Sequence, residues 1–142
     1  LNEGLNWAKG KYFSPLASDD YYHRDKVFEQ VKLLEKQENN KYCVTKAYVV
    51  SDTNRILEVD TELYNKGLDG EISFSDIFLF KTHLPVTGLY ETDFLKNILG
   101  GFDSKLSAED YDLNLRIAQI NEIEVVPKYL YYYQFPHPQL HS

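Results

Sequence analysis

Two acidic pairs carry most of the chemical potential of this chain. Asp19 and Asp20 follow a short aromatic and apolar stretch, Lys11 to Leu16, across Ala17-Ser18. That stretch suits a strand entering a core. Polar, turn-prone residues after it place two carboxylates at its carboxyl end, where open α/β sheets bind ligands. Adjacent carboxylates can hold a hard divalent cation and leave positions open for phosphate; they also make an ordinary solvated turn that caps the next helix. The second pair, Glu109-Asp110, opens a helix after Ser107. Ser107 with Asp110 three residues on is a capping-box arrangement, in which Asp110 satisfies backbone donors. The alternative is that the pair faces a cleft and one member is a general base. A carboxylate at a helix N-terminus tends to stay ionised, as a base must be to accept a hydroxyl proton.

Other chemistry is thin. Of the four histidines, His137 lies in Phe135-Pro136-His137-Pro138, a stiff polar tail where a surface histidine is the default. Asp52-x-Asn54 lacks the glycine and distal glutamate of a calcium loop and reads as a turn. No Gly-rich phosphate loop, nucleophile elbow or Walker-type lysine is present.

The elements that must position these residues follow from periodicity. Residues 1–9 read as the end of a helix with Gly10 as its stop. Asp25 to Glu38 has Val27, Val31 and Leu34 at helical spacing, widened by Phe28 and Leu33. Tyr42–Val50 and Arg55–Val59, joined by Ser51-Asp52-Thr53-Asn54, predict a β-hairpin over 42–59. Residues 60–74 are a polar loop or an irregular helix. Ser75 caps a short helix to Lys81, and Val86–Tyr90 is extended. Glu91–Leu99 is helical and stops at Gly100-Gly101; Ser107–Gln119 is the clearest helix. Ile123–Val126 and Tyr129–Tyr133 are two strands split by Pro127.

Length and composition bound the answer. With 142 residues the chain fits one domain, taken as 1–142, able to bury a core without staples. Lys and Arg number 15 against 22 Asp and Glu, a net charge of −7 that argues against a general nucleic-acid binder. The one cysteine, Cys43, forbids an internal disulfide and a cysteine-based zinc site, so a reducing compartment is the simplest setting. No apolar run reaches a membrane span, and no signal peptide is visible. Methionine is absent, so the N-terminus is expected to be a cut one. Tyrosine is in excess at 12 copies, and the Tyr129–Tyr133 run predicts a strand with a wet end.

Taken in order, these signals resemble the later part of an inverting family 2 glycosyltransferase of the GT-A fold. Four stretches carry the resemblance: Asn2-x-Gly4-x-x-x-Ala8-x-Gly10 leading into Lys11-Tyr12-Phe13; Ser18-Asp19-Asp20, where the family has an Asp-x-Asp-Asp metal motif; Gly100-Gly101-Phe102-Asp103; and Ala108-Glu109-Asp110-Tyr111-Asp112-Leu113 with Leu115-Arg116. The fold implied is a GT-A-like mixed sheet flanked by helices, without its N-terminal nucleotide-binding half. The resemblance implies that Asp19 is the principal ligand to Mn²⁺ or Mg²⁺, that Asp20 assists or orders the turn, and that His137 reaches the metal or diphosphate. It implies Asp110 as the base toward the acceptor hydroxyl and Glu109 as an orienting group. Gly101, Phe102 and Asp103 would line the acceptor side, and Arg116 would bind substrate. Ala17 replaces the first carboxylate of the motif. The implied partners are a nucleotide-sugar donor and a carbohydrate or lipid-linked acceptor. The setting would be cytoplasmic, at most peripheral to the membrane, in bacterial polysaccharide or glycolipid synthesis. A sheet lacking its first strands exposes an edge, so self-association or a longer chain is expected. A catalytically inactive carbohydrate-binding or interaction remnant of the fold is the alternative.

Overall fold

The computed structural model describes residues 9–16, 19–36, 39, 41–82, 84–98, 109–120 and 123–134; for 97–98 and 109–112 the description is of the backbone. Residues 1–8, read above as a helix, and the Gly100–Asp103 loop lie outside the described residues.

Among the described residues, six strands form one mixed sheet: β1 (Tyr12–Phe13), β2 (Tyr21–Tyr22), β3 (Tyr42–Val50), β4 (Glu71–Ile72), β5 (Leu89–Glu91) and β6 (Ile123–Gln134). Their order is β1-β5-β3-β6-β2, with β4 also pairing β6. The long strands β3 and β6 run parallel, from Cys43 opposite Glu124 to Val50 opposite Gln134. Both read as near-continuous apolar and aromatic runs, as strands covered on both faces must. Successive residues of β3 serve opposite faces. Cys43 packs with Leu34, Leu89, Val126 and Leu130 beneath helix α1 (Lys26–Glu35). Val44 packs with Ile77, Leu113 and Ile117, from α3 (Phe74–Phe78) and α4 (Glu109–Ile120). Helices therefore cover both faces, the α/β class the sequence implied.

Several elements differ from expectation. Residues 42–59 are not a hairpin: Arg55–Val59 contributes a single bridge, Ile56 to Val50, before α2 (Glu58–Tyr64) begins. β6 pairs one edge of β3 along its length, whereas β5 pairs only Tyr42 and Cys43 on the other. The outer edge of β3 is completed by side chains instead. Thr87 Oγ1 accepts from Thr45 N and donates to Thr45 O, both at 2.9 Å. Asn65 accepts from Ala47 N at 2.9 Å and donates to Ala47 O at 2.8 Å. Thr61 Oγ1 accepts from Val49 N at 2.9 Å. Three short polar side chains thus do what another strand would do, and leave nothing for a stray strand to pair with.

Pro127 does not split β6. Two extra residues bulge out between Val126, opposite Thr45, and Tyr129, opposite Lys46. The missing N–H of proline falls between the segments of β6 paired with β4 and with β2, where no described strand needs it. Lys128 on the bulge reaches Glu29 of α1 at 3.1 Å. The short helix expected from Ser75 is capped by Ser73, whose side chain accepts from Asp76 N while Asp76 accepts from Ser73 N, a reciprocal capping box. Glu91–Leu99 contains a π-helical turn, Phe94–Ile98. The tyrosine excess forms cross-strand pairs: Tyr21 stacks on Tyr132 with centroids 4.5 Å apart, Tyr132 meets Tyr48 at 5.4 Å, and Tyr48 meets Tyr129 at 4.8 Å.

Asn65→Ala leaves both main-chain groups of Ala47 without partners in a buried place. We expect a loss of about 2–4 kcal/mol in urea unfolding, against a smaller loss for Thr61→Ser, which keeps the hydroxyl.

Candidate active site

The candidate site sits at the carboxyl ends of β1 and β6. β1 and β3 are each antiparallel to β5, so β1, β3 and β6 point the same way. After β1 the chain turns through Asp19 and Asp20 and returns as β2, antiparallel to β6, with Tyr21 opposite Tyr132 and Tyr22 opposite Tyr131.

The two carboxylates have different surroundings. Asp20 is half-buried and both of its oxygens accept a hydrogen bond: one from the Tyr131 hydroxyl at 2.5 Å, the other from Gln134 N at 2.9 Å. Tyr131 itself is fully buried. Burial first, and then the bond to the Asp20 carboxylate, pushes its phenol well above the usual range, so it stays a proton donor. Asp20 therefore ties the turn to the end of β6. Asp19 is exposed to solvent.

Behind the turn lies a buried polar cluster that the sequence reading missed. The expected apolar stripe of α1 is rotated: Val27 and Phe28 are exposed, whereas Lys26, Gln30 and Leu34 are buried. Residues 26, 30 and 34 share a face at i, i+4 spacing. Long polar side chains on that face were not counted as interior. Gln30 donates to Thr87 O at 2.9 Å and to Cys43 O at 3.2 Å, bridging α1 to the sheet. The Cys43 thiol is pushed up to about 12, chiefly by burial, so it is an inert thiol in the interior. Lys26 Nζ donates to Ser14 Oγ at 3.2 Å and lies 4.1 Å from the centre of the Tyr22 ring. Burial lowers its ammonium to about 8.

The other expected site residues are placed only in part. Glu109 and Asp110 form the first turn of α4, as expected, and their side chains lie outside the description. Arg116 is half-buried on the same helix, between the core residues Leu113 and Ile117. Gly101, Phe102, Asp103 and His137 lie outside the described residues, as does His141, four residues beyond His137. Among the described residues, the structure thus brings Asp20, the chain neighbour of Asp19, together with Tyr131 and Gln134. It neither joins nor separates them from the Asp110 carboxylate.

A magnesium-type cation is commonly held by one or two carboxylates together with substrate phosphates. An exposed Asp19 beside Asp20, whose oxygens keep lone pairs beyond those used by Tyr131 and Gln134, fits that requirement. No group of three or more His, Cys, Asp or Glu side chains is assembled among the described residues. No helix among them is long and apolar enough to cross a membrane.

No family model matches the chain. It is 33% identical over 129 residues to an uncharacterized glycosyltransferase of Rickettsia prowazekii, covering 87% of this chain and 39% of that protein. An uncharacterized glycosyltransferase of Rickettsia bellii is 32% identical over 133 residues, with 87% of this chain and 18% of the relative covered. One from Methanocaldococcus jannaschii is 28% identical over 142 residues, with 95% and 46% covered. The chain therefore spans less than half the length of each of these curated relatives. Among solved structures, Staphylococcus aureus TarS 1–349 in complex with UDP-GlcNAc matches with a TM-score of 0.70 and 20% identity over 96% of this chain and 38% of that one. The same TarS segment in complex with UDP also has a TM-score of 0.70. These structures show the fold, a mixed sheet flanked by helices shared with part of that chain.

Two measurements check this site. Tyr131→Phe removes the proton donor to Asp20 without removing the ring; about 2 kcal/mol of stability should be lost, and in Asp20→Asn the same change should cost much less. The buried Lys26 sets a pH dependence. Below about pH 8 the ammonium is charged in the folded and unfolded chain, and its burial opposes folding. Between about 8 and the ordinary 10.5 the folded chain sheds a proton that the unfolded chain keeps, so stability rises. Lys26→Met should therefore be more stable than the parent at pH 7, by up to roughly 3 kcal/mol, with the gap closing toward pH 10.5. Cys43 acts in the opposite sense above pH 9 in both proteins, so it largely cancels in the difference.

Proposed function

We propose that the chain is part of a glycosyltransferase catalytic domain of the GT-A, family 2 type. It would move a sugar from a nucleotide donor to an acceptor hydroxyl with inversion at the anomeric carbon, in polysaccharide or glycolipid assembly. The observation that carries this reading is the carboxylate turn, fixed at the carboxyl ends of parallel strands in a fold shared with TarS. The three relatives named as glycosyltransferases match across most of the chain and support the reaction class.

In this reading Asp19 holds Mn²⁺ or Mg²⁺ beside the donor diphosphate, and Asp20 keeps the turn in place from beneath. The cation, when bound, would neutralise charge building on the leaving nucleoside diphosphate. His137 is a candidate further ligand. Asp110, at the start of α4, accepts the proton of the attacking hydroxyl as the new glycosidic bond forms and the bond to the diphosphate breaks. Glu109 orients the acceptor or the diphosphate. Gly101, Phe102 and Asp103 form the acceptor side, and Arg116 contributes to substrate binding. A cytoplasmic location, with contact at the inner face of the membrane where the acceptor is lipid-linked, accords with this chemistry.

The test is release of nucleoside diphosphate from UDP- and GDP-sugars by the full-length protein with Mn²⁺, and binding of the free diphosphates. Asp110→Asn should lower turnover by roughly 10²–10⁴-fold while leaving donor binding nearly intact. Asp19→Ala should weaken metal-dependent diphosphate binding. A full-length protein that binds no nucleoside diphosphate in the presence of Mn²⁺ would falsify the reading.

A further inference from the structure

Lys26 opens α1 and is fully buried, yet among the described residues it makes no ion pair. Its ammonium meets a hydroxyl, Ser14 Oγ at 3.2 Å, and the face of a ring, Tyr22 at 4.1 Å. A lysine desolvated without a counter-charge opposes folding, and an apolar side chain of similar length would sit there at lower cost. What distinguishes the place is what the ammonium joins. Ser14 belongs to the strand end before the carboxylate turn, and Tyr22 to the strand after it.

We propose that Lys26 is a positioning residue for that turn, clasping its two legs through Ser14 and Tyr22 so that the Asp19 carboxylate is presented from a fixed seat. Hydroxyls complete the clasp. Tyr22 donates to Pro15 O at 2.8 Å, Ser14 reaches Gly88 O at 2.8 Å, and the two hydroxyls are 2.9 Å apart. A cation over the ring adds attraction that strengthens where water is excluded. At the tip, Asp20 is held by Tyr131 and Gln134. Asp19, between the two fixings, faces solvent. The use of Asp19 rests on the donor-site reading above; the clasp itself does not.

Amide hydrogen exchange at Gln134, whose N–H is held by Asp20, reports on the seat directly. Lys26→Met and Ser14→Ala should each speed that exchange about tenfold or more relative to the most protected amides. The thermal midpoint of Lys26→Met should stay level or rise. Ser14→Ala keeps Lys26 and removes the atom to which its ammonium donates, so it decides the matter even where Lys26→Met does not fold. Unchanged exchange at Gln134, or a change only in step with global stability, overturns the proposal. Titration of Mn²⁺ with UDP supplies a readout that packing alone would not move: the affinity of Lys26→Met should fall about tenfold at an undiminished midpoint. Equal affinity in parent and variant overturns the positioning role. A parent protein that binds no Mn²⁺ with UDP sinks the donor-site reading instead, and the exchange result still decides the clasp.

Discussion

The parallel pairing of β3 with β6 is the constraint on which the rest depends. β3 is buried along nearly its whole length, and β6 at Ile123, Val125–Val126 and Leu130–Tyr131, so neither can be placed until helices cover both sides. The pairing joins segments some 80 residues apart in sequence, which must be closed before the core rewards it. Once formed, it dictates the remaining edges. β5 covers only the start of β3, so Thr87, Asn65 and Thr61 complete the rest. β4 and β2 take the two ends of β6 and leave the Pro127 bulge between them. The carboxylate turn inherits its position from the same pairing, because Tyr131 and Gln134 lie at the end of β6 that β3 holds in register.

The polar interior beside that pairing is unusual in sign. Lys26, Gln30 and Thr87 occupy places where aliphatic side chains would bury more apolar surface. Among the described residues the Gln30 amide oxygen has no hydrogen-bond partner, an arrangement that costs stability. What the polar groups return is directionality. Gln30 fixes α1 against the main chain of Cys43 and Thr87, and Lys26 fixes the strand ends around the turn. Apolar packing tolerates small slides; hydrogen bonds in a low-dielectric interior tolerate them poorly. Buried polarity beneath the carboxylate turn trades stability for geometry.

How much of this was legible in the sequence depends on what kind of signal each element leaves. α1, β3 and α4 were readable because propensity and periodicity agree there. The orientation of α1 was not: Val27 and Phe28 look interior by type, and only the tertiary placement of Ser14 and Tyr22 explains why Lys26 turns inward. Arg55–Val59 looks like a strand because its residues are β-formers. It yields to a bridge and a helix because β3 has its partners elsewhere. Pro127 reads as a break in any linear scan, whereas a bulge absorbs it at a point where no neighbour asks for its N–H. For the candidate site, Asp19-Asp20 was visible from residue type and position, but the division of labour between them was not. Nothing local announces that Tyr131 and Gln134, more than a hundred residues on, occupy Asp20.

That division shapes the proposed chemistry. Two neighbouring carboxylates left free would repel each other and compete for one cation. Here Asp20 spends a lone pair of each oxygen on the protein itself, and Asp19 stands exposed. A hard divalent cation wants about six oxygens in near-octahedral order, and one free carboxylate with an occupied neighbour supplies few of them. The rest must come from water, from residues such as His137, or from the diphosphate of a donor. A seat this sparse would hold the cation weakly alone and firmly with the diphosphate, so that metal and donor enter as a unit. In that proposal Ala17, at the position where the resembled motif has a further carboxylate, would make the seat sparser still and shift the burden of holding the cation further toward the substrate.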